Sequence, residues 1–146
     1  MDVVNYYQVS KNIASSGQPA ADQFESIANA GYDVVFNLAM PDHEKSIANE
    51  GSIVTSLGMS YIHIPVPFDA PNEDHFTCFA AYMDSLKYKK VWLHCIVNAR
   101  VSAFLFRYLQ EQGCSALEAK TPILEYWLPT MDDKWKAFIS HAKEAP

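Results

Sequence analysis

An apolar run, a short loop and an amphipathic helix follow one another within residues 91–109. The run Val91-Trp92-Leu93 leads into His94 and Cys95, as in a buried strand that ends in two chemically active side chains. From Val101 onward, apolar residues recur at i+3, i+4, i+7 and i+8, which is the pattern of one face of an α-helix. The stretch therefore predicts a strand, a loop and a helix in this order.

The cysteine at the end of this strand faces the N-terminus of the helix that follows. Free N–H groups and the helix dipole stabilise anions there, and they favour a thiolate at Cys95. Arg100, in the same segment, has a planar, two-pronged guanidinium that suits phosphate oxygens. The alternatives are a buried structural cysteine and an arginine that lies on the surface of the first helical turn.

Composition limits the classes of partner and site. The 146 residues fit one domain over residues 1–146, and the net charge of −6 without a basic stripe argues against nucleic acid and against an anionic membrane. Cys78, Cys95 and Cys114 are too widely spaced for a disulfide framework or a CxxC metal site, and the histidines have no metal-ligand spacing. We expect no metal and no cofactor.

The N-terminal sequence lacks the basic and apolar segments of a signal peptide, and no apolar run approaches the ~18 residues of a membrane span. Free thiols suit a reducing compartment. These features predict a cytoplasmic protein.

Strand and helix patterns alternate along the chain. Strands are predicted within 6–15 and over 33–38, 60–64 and 89–93, and helices over about 20–30 and 43–57, after an N-cap at Asn72, and over 100–112, 115–126 and 130–143. This alternation predicts a single α/β domain with a mainly parallel sheet of four to five strands flanked by helices. Because parallel strands end at one edge, Asp69, in the loop after Ile64, is expected to reach the cleft of Cys95.

The segment from His94 to Ser102 resembles the His-Cys-x5-Arg-Ser/Thr phosphate loop of protein tyrosine and dual-specificity phosphatases. Its spacing is Cys-x4-Arg, one residue shorter, while Ser102 keeps the family's distance from Cys95. Residues 14–19 (Ala-Ser-Ser-Gly-Gln-Pro), 31–38 and 58–71 look like those of small bacterial and fungal dual-specificity phosphatases. They are also similar to the phosphatase-like domain sometimes found with beta-lactamase-like hydrolases.

The resemblance implies a metal-independent phosphatase that forms a phosphocysteine intermediate on Cys95. His94 would hydrogen-bond to the backbone near Cys95 and help hold the thiolate, Ser102 would donate to the Cys95 sulfur, and Asp69 would be the general acid. Phosphate would bind the segment Ile96, Val97, Asn98, Ala99 and Arg100. Asn98 tolerates the left-handed conformation that glycine often supplies at this place.

Plainer roles stay open for several of these residues. Ser102 could bond its own backbone, and Asp69 could be a turn former. Asp42 and His43 could line the mouth of the cleft, although solvated loop residues are the simpler interpretation. Tyr126, Trp127 and Trp135 fit helix packing better than a ligand platform.

Two other functions are compatible with the pattern. A catalytically weak relative could bind phosphate or a phosphorylated protein, and a rhodanese-type sulfurtransferase also has a cysteine at a strand–loop–helix junction. The sequence does not decide whether the substrate is a phosphorylated protein or a small molecule.

Overall fold

A computed structural model of the chain describes residues 1–141, which fold around one five-stranded sheet. The strands are β1 Tyr7–Gln8, β2 Ile13–Ser16, β3 Val34–Asn37, β4 Ser60–His63 and β5 Val91–His94. Their order in the sheet is β1-β2-β5-β3-β4, and only the β1–β2 pair is antiparallel. The predicted mainly parallel α/β sheet is confirmed.

The helices cover both faces of the sheet. They are α1 Gln23–Asn29, α2 Glu50–Ser56, α3 Glu73–Ser85, α4 Ala99–Glu111, α5 Ala116–Ala119, α6 Pro122–Trp127 and α7 Asp133–Ser140, with a 3₁₀ turn at Leu128–Thr130 between α6 and α7. No helix within residues 1–141 is long and apolar enough to span a membrane.

Side chains alternate between two cores along the buried strands, as the strand period of two requires. On one face, Val34 and Phe36 of β3 pack with the apolar residues of α3, α4 and α7. On the other face, Val35 of β3 and Trp92 of β5 pack with α1 and α2. The sheet is therefore the middle of three layers.

Two predicted helices differ from those observed. The helix expected over 43–57 begins only at Glu50, because local bonds hold the preceding turns: the Ser46 hydroxyl donates to the Met40 carbonyl, and His43 Nδ1 accepts from the Lys45 N–H. The helix expected over 115–126 is split, since the Thr121 side chain caps a new helix that starts at Pro122.

The other boundaries lie close to those predicted. Asn72 caps α3 as expected, with its Oδ1 accepting from the His75 N–H at 2.8 Å. The last helix ends at Ser140, and residues 142 and 143 of the predicted 130–143 helix lie outside the described residues.

Candidate active site

The four parallel strands end side by side at one edge of the sheet. Ser16 and Asn37 both pair with His94, and Asn37 also pairs with His63, so the last residues of β2, β5, β3 and β4 are aligned. Beyond His94 the chain forms the loop of residues 95–98, here called the Cys95 loop, and then enters α4. The predicted strand, loop and helix are therefore present in this order.

Groups outside the Cys95 loop bind its carbonyl oxygens. The Ile96 carbonyl accepts from the Gln18 N–H at 3.0 Å. The Val97 carbonyl accepts from the Asn5 amide at 2.9 Å and from the Trp127 indole at 3.2 Å. By contrast, the N–H groups of residues 96–98 have no acceptor among residues 1–141. A loop bound through its carbonyls, with its N–H groups free, is an arrangement that binds anions.

Asn98 gives the loop its sharp turn into the helix. It adopts the left-handed conformation expected of it, with φ of 70°. Its side-chain amide donates to the Asn5 carbonyl at 2.8 Å and to Ser15 Oγ at 3.0 Å. These bonds fix the left-handed residue to the N-terminal segment and to β2.

Gly17 lets the segment after β2 approach the loop closely. A Cβ at this position would lie 2.4 Å from the Ile96 carbonyl oxygen. Real Cβ atoms do not come so near a backbone oxygen, so glycine is required for the Gln18–Ile96 bond. The Ser-Gly-Gln-Pro stretch therefore serves as support for the Cys95 loop.

Cys95 and Arg100 are both buried at this edge. Cys95 has no solvent-exposed surface, and Arg100 is 5% exposed. Arg100 Nη1 donates to the Val66 carbonyl at 2.9 Å, and the guanidinium lies 5.7 Å from the centre of the Phe68 ring. The alternative of a solvent-facing arginine is wrong for Arg100. Among residues 1–141, no carboxylate lies within ion-pair distance of its guanidinium.

His94 is fully buried behind the loop. Its Nδ1 lies 3.1 Å from the Cys95 carbonyl oxygen, and its Nε2 lies 2.7 Å from Glu50 Oε2. Burial alone would raise the pKa of Glu50, but the hydrogen bond and charge of His94, with bonds from Gln18 and Tyr61, bring that pKa below its ordinary value. The predicted contact between His94 and the backbone at Cys95 is present.

Ser102 has a different partner from the one expected. Its hydroxyl donates to Asn98 Oδ1 at 3.1 Å, and no hydrogen bond joins it to the Cys95 sulfur. Ser102 therefore holds the residue that shapes the loop, and neither the expected thiol contact nor the bond to its own backbone is formed.

An open cleft of about 580 Å³ lies over the loop, within the size range of small-molecule sites. Its lining residues are Met40, Asp42, His43, Phe68, Ile96, Val97 and Arg100. Asp69 is exposed and is not among them, although its neighbour Phe68 is. Asp42 and His43 are both exposed, as the solvated-loop interpretation expects, and they also line the mouth of the cleft.

A smaller apolar cavity adjoins this cleft and shares Phe68, Val97 and Arg100 with it. Its remaining walls are Ala99, Trp127, Thr130, Met131, Asp132 and Trp135. Both indole N–H groups bind loop backbone: Trp127 donates to the Val97 carbonyl, and Trp135 donates to the Phe68 carbonyl. The two tryptophans therefore hold two loops of the site while they line its apolar side.

Several of these residues were not singled out for the site by sequence reasoning. Gln18 belongs to a quoted motif, and its place before Pro19 was the available signal. Glu50 and Asn5 carried no signal, because His94 lies 44 residues from Glu50 and Val97 lies 92 residues from Asn5 in the chain. Within residues 1–141, no group of three or more potential metal ligands is present.

No protein-family model and no curated protein sequence matches the chain. Among solved structures, a DUF442 protein with a suggested phosphatase activity, from Shewanella putrefaciens CN-32, shares 33% sequence identity. That alignment covers 96% of this chain and 89% of the other, with a TM-score of 0.86. The chain belongs to the DUF442 family.

More distant structures share the fold. Tk-PTP in its active form is 19% identical, covers 97% of this chain and 98% of its own, and has a TM-score of 0.77. The core catalytic domain of the PP-IP phosphatase SIW14 from S. cerevisiae, in complex with citrate, is 13% identical. The alignment covers 96% of this chain and 86% of that domain, with a TM-score of 0.77.

Proposed function

We propose that the chain is a metal-independent phosphatase that hydrolyses a phosphomonoester through a phosphocysteine intermediate. The observation that carries the proposal is the Cys95 loop, whose carbonyls are bound from outside and whose N–H groups are free for an anion. Cys95 lies at its start, and Arg100, without a carboxylate partner among residues 1–141, follows it. The family supports the same activity.

In the first step, the Cys95 thiolate attacks phosphorus in line with the leaving oxygen. The S–P bond forms as the P–O bond to the leaving group breaks, and a proton from an acid neutralises the departing oxygen. The loop N–H groups and the Arg100 guanidinium bind the phosphoryl oxygens, where negative charge is spread in the transition state.

In the second step, water attacks the phosphocysteine. The S–P bond breaks, inorganic phosphate leaves, and the sulfur departs as a thiolate. The carboxylate that gave its proton in the first step accepts one from the attacking water, so the enzyme returns to its starting state.

Two carboxylates compete for the acid role. Asp69 stands where the resemblance places the acid, but its side chain has no hydrogen bond within residues 1–141 and does not line the cleft. Asp42 lines the cleft together with Arg100. Asp69→Asn and Asp42→Asn distinguish them. The substitution that removes the acid should slow the reaction little with aryl phosphates and about 10²-fold or more with poor leaving groups. Equal losses across leaving groups would exclude that residue as the acid.

The apolar cavity bears on the substrate. Because Trp127, Met131 and Trp135 lie beside the shared Arg100, a substrate with an apolar group next to its phosphate fits better than a polyphosphorylated one. A phosphorylated protein side chain and a small-molecule monoester both meet this description.

We also propose that residues 1–146 act as one domain, and that the reaction takes place in the reducing cytoplasm, which the free thiol of Cys95 suits.

The test is hydrolysis of para-nitrophenyl phosphate near pH 6, with chelator and reductant, by the unmodified protein and by Cys95→Ser. Turnover should disappear in Cys95→Ser and persist in Cys78→Ser, a matched control at an exposed cysteine. Full activity in Cys95→Ser would exclude the mechanism. No turnover in any of these proteins would favour a phosphate-binding module or a sulfurtransferase, which transfer of sulfur from thiosulfate to cyanide distinguishes.

A further inference from the structure

A cluster of polar side chains is buried behind the Cys95 loop, on the face of the sheet that carries α1 and α2. We call Gln18, Asn37, Glu50, Tyr61 and His94 the Glu50 cluster. Gln18 Nε2 donates to Glu50 Oε1 at 2.7 Å, and Asn37 Nδ2 donates to the Tyr61 hydroxyl oxygen at 2.9 Å. His94 Nε2 lies 2.7 Å from the other carboxylate oxygen, and Tyr61 contributes to lowering the pKa of Glu50. Glu50 is thus the central acceptor of the cluster.

Both ring nitrogens of His94 face hydrogen-bond acceptors. Its Nδ1 faces a carbonyl oxygen, which can only accept, so this nitrogen has to carry a proton. Its Nε2 faces Glu50 Oε2 at 2.7 Å, and Gln18 donates to the other oxygen of the same carboxylate, so this nitrogen also faces an acceptor. A ring that donates from both nitrogens is an imidazolium, and here it would lie against the backbone carbonyl of Cys95.

Stability alone gives no reason for such a pair. The side chains of His94 and Glu50 are only 0% and 3% exposed. The apolar ring of Phe24 lies beside them, with its centre 6.3 Å from that of the imidazole. Buried ion pairs stabilise a fold no better than well-packed apolar residues do, because desolvation offsets their attraction. The feature that sets this pair apart is its contact with the backbone of the nucleophile.

We propose that Glu50 is a positioning residue that holds His94 as an imidazolium against the Cys95 carbonyl and thereby keeps the Cys95 sulfur as a thiolate at neutral pH. The proposal deepens the proposed function and rests on Cys95 being its nucleophile. The thiolate can nevertheless be measured without any turnover, so the two proposals fail separately.

Other charged or titratable groups within residues 1–141 also lie near the Cys95 loop or the Glu50 cluster. Arg100 approaches from α4, and Asp42 and His43 line the cleft. Asp132 lines the adjoining cavity, Tyr61 lies near Glu50, and the His63 ring lies 6.0 Å from that of Tyr61. Replacing Glu50 by glutamine leaves all of these side chains in place. The substitution keeps the shape of the side chain and an acceptor for His94 Nε2, while it removes the negative charge that holds the second proton on the ring.

The experiment follows thiolate absorbance at 240 nm from pH 4 to 9, each trace corrected by the same protein carrying Cys95→Ser. In Glu50→Gln the midpoint of thiolate formation should move to higher pH by about one unit, the scale of one lost charge interaction. Glu50→Asp, which restores the charge, should move it less. Glu25→Gln makes the same charge change at an exposed site on α1 and should leave the midpoint unchanged.

A double substitution shows whether Glu50 acts through His94. His94→Gln alone should also raise the midpoint, and adding Glu50→Gln to it should cause no further shift, because the imidazolium is already absent. Additive shifts would contradict action through His94.

An unchanged midpoint in folded Glu50→Gln would overturn the proposal. If Glu50→Gln does not fold, an unchanged midpoint in His94→Gln would overturn it instead. A shifted midpoint in a protein that never hydrolyses para-nitrophenyl phosphate would sustain the role of Glu50 while the proposed function fails.

Discussion

Helix α4 carries two buried arginines, seven residues apart, whose surroundings differ. Arg100, in the first turn, and Arg107, two turns later, are 5% and 3% exposed. Arg107 forms a two-pronged ion pair with Glu73, with N–O distances of 2.5 and 2.8 Å, and packs over the rings of Phe76 and Phe138. Arg100 has one carbonyl partner and one ring 5.7 Å away.

The difference shows what each guanidinium is suited to do. A buried cation is costly unless other groups compensate its charge, and Glu73 compensates that of Arg107 within the fold. Among residues 1–141, no carboxylate does the same for Arg100, which instead borders the cleft over the Cys95 loop. Arg107 therefore stabilises the fold, and we propose that Arg100 binds an anion that enters the cleft.

The largest expected effect is on catalysis at Arg100. Arg100→Met should lower kcat/KM for para-nitrophenyl phosphate by about 10²–10³-fold, because it removes a donor to the charge of the transition state. Arg100→Lys should recover only part of this loss, since an ammonium lacks the two-pronged geometry. Steady-state kinetics measure both, and thermal unfolding should show a melting temperature close to that of the unmodified protein.

The reciprocal substitution is Arg107→Met. It should lower the free energy of unfolding by about 1–3 kcal/mol, less than for a fully buried pair because Glu73 is half exposed. Urea denaturation measures this loss. The value of kcat/KM should stay within about twofold of that of the unmodified protein, because Arg107 does not line the cleft. If Arg107→Met instead reduced kcat/KM as much as Arg100→Met, the division between the two arginines would be wrong.

The sequence allowed part of this comparison to be predicted. The helical spacing of apolar residues predicted both ends of α4 to within one residue. The closeness of Arg100 to Cys95 in the sequence led to its prediction as a phosphate-binding residue. Nothing local distinguished Arg107, because its partner Glu73 lies 34 residues away. Glu50 carried no signal, and Trp127 and Trp135 were assigned only to helix packing, for the same reason: their partners lie far away in the chain.

A pH experiment sharpens the assignment of Arg107 to the fold. Hydrogen bonds from Arg107, with its charge, hold the pKa of Glu73 below its ordinary value. The unfolded chain then binds the proton more readily, so the contribution to stability is present above the unfolded pKa of about 4.3 and is lost as pH falls through the lower, folded value.

Both Glu73→Gln and Arg107→Met should therefore flatten the dependence of unfolding free energy on pH below about 4.5. Urea melts at several acidic pH values measure this slope. A slope equal to that of the unmodified protein in both variants would show that the pair contributes nothing to acid stability.

The smallest effect is expected at Ser102, which lies between the two arginines on α4. Ser102→Ala removes the bond to Asn98 Oδ1 and should lower the free energy of unfolding by about 1 kcal/mol. Turnover should fall only a few-fold, in both chemical steps alike, because the loop loosens as a whole. Asn98→Gly keeps the left-handed turn but removes the same bond, so the two losses should not add.

Pre-steady-state kinetics distinguish this role from the one expected by family resemblance. A hydroxyl that donates to the Cys95 sulfur would assist thiolate departure, so its loss would slow hydrolysis of the phosphocysteine and leave the burst of para-nitrophenol intact. A hydroxyl that holds Asn98 would affect the burst and the steady state together. The second result would show that Ser102 affects the chemistry only through the loop that it supports, in contrast to Arg100 two residues earlier.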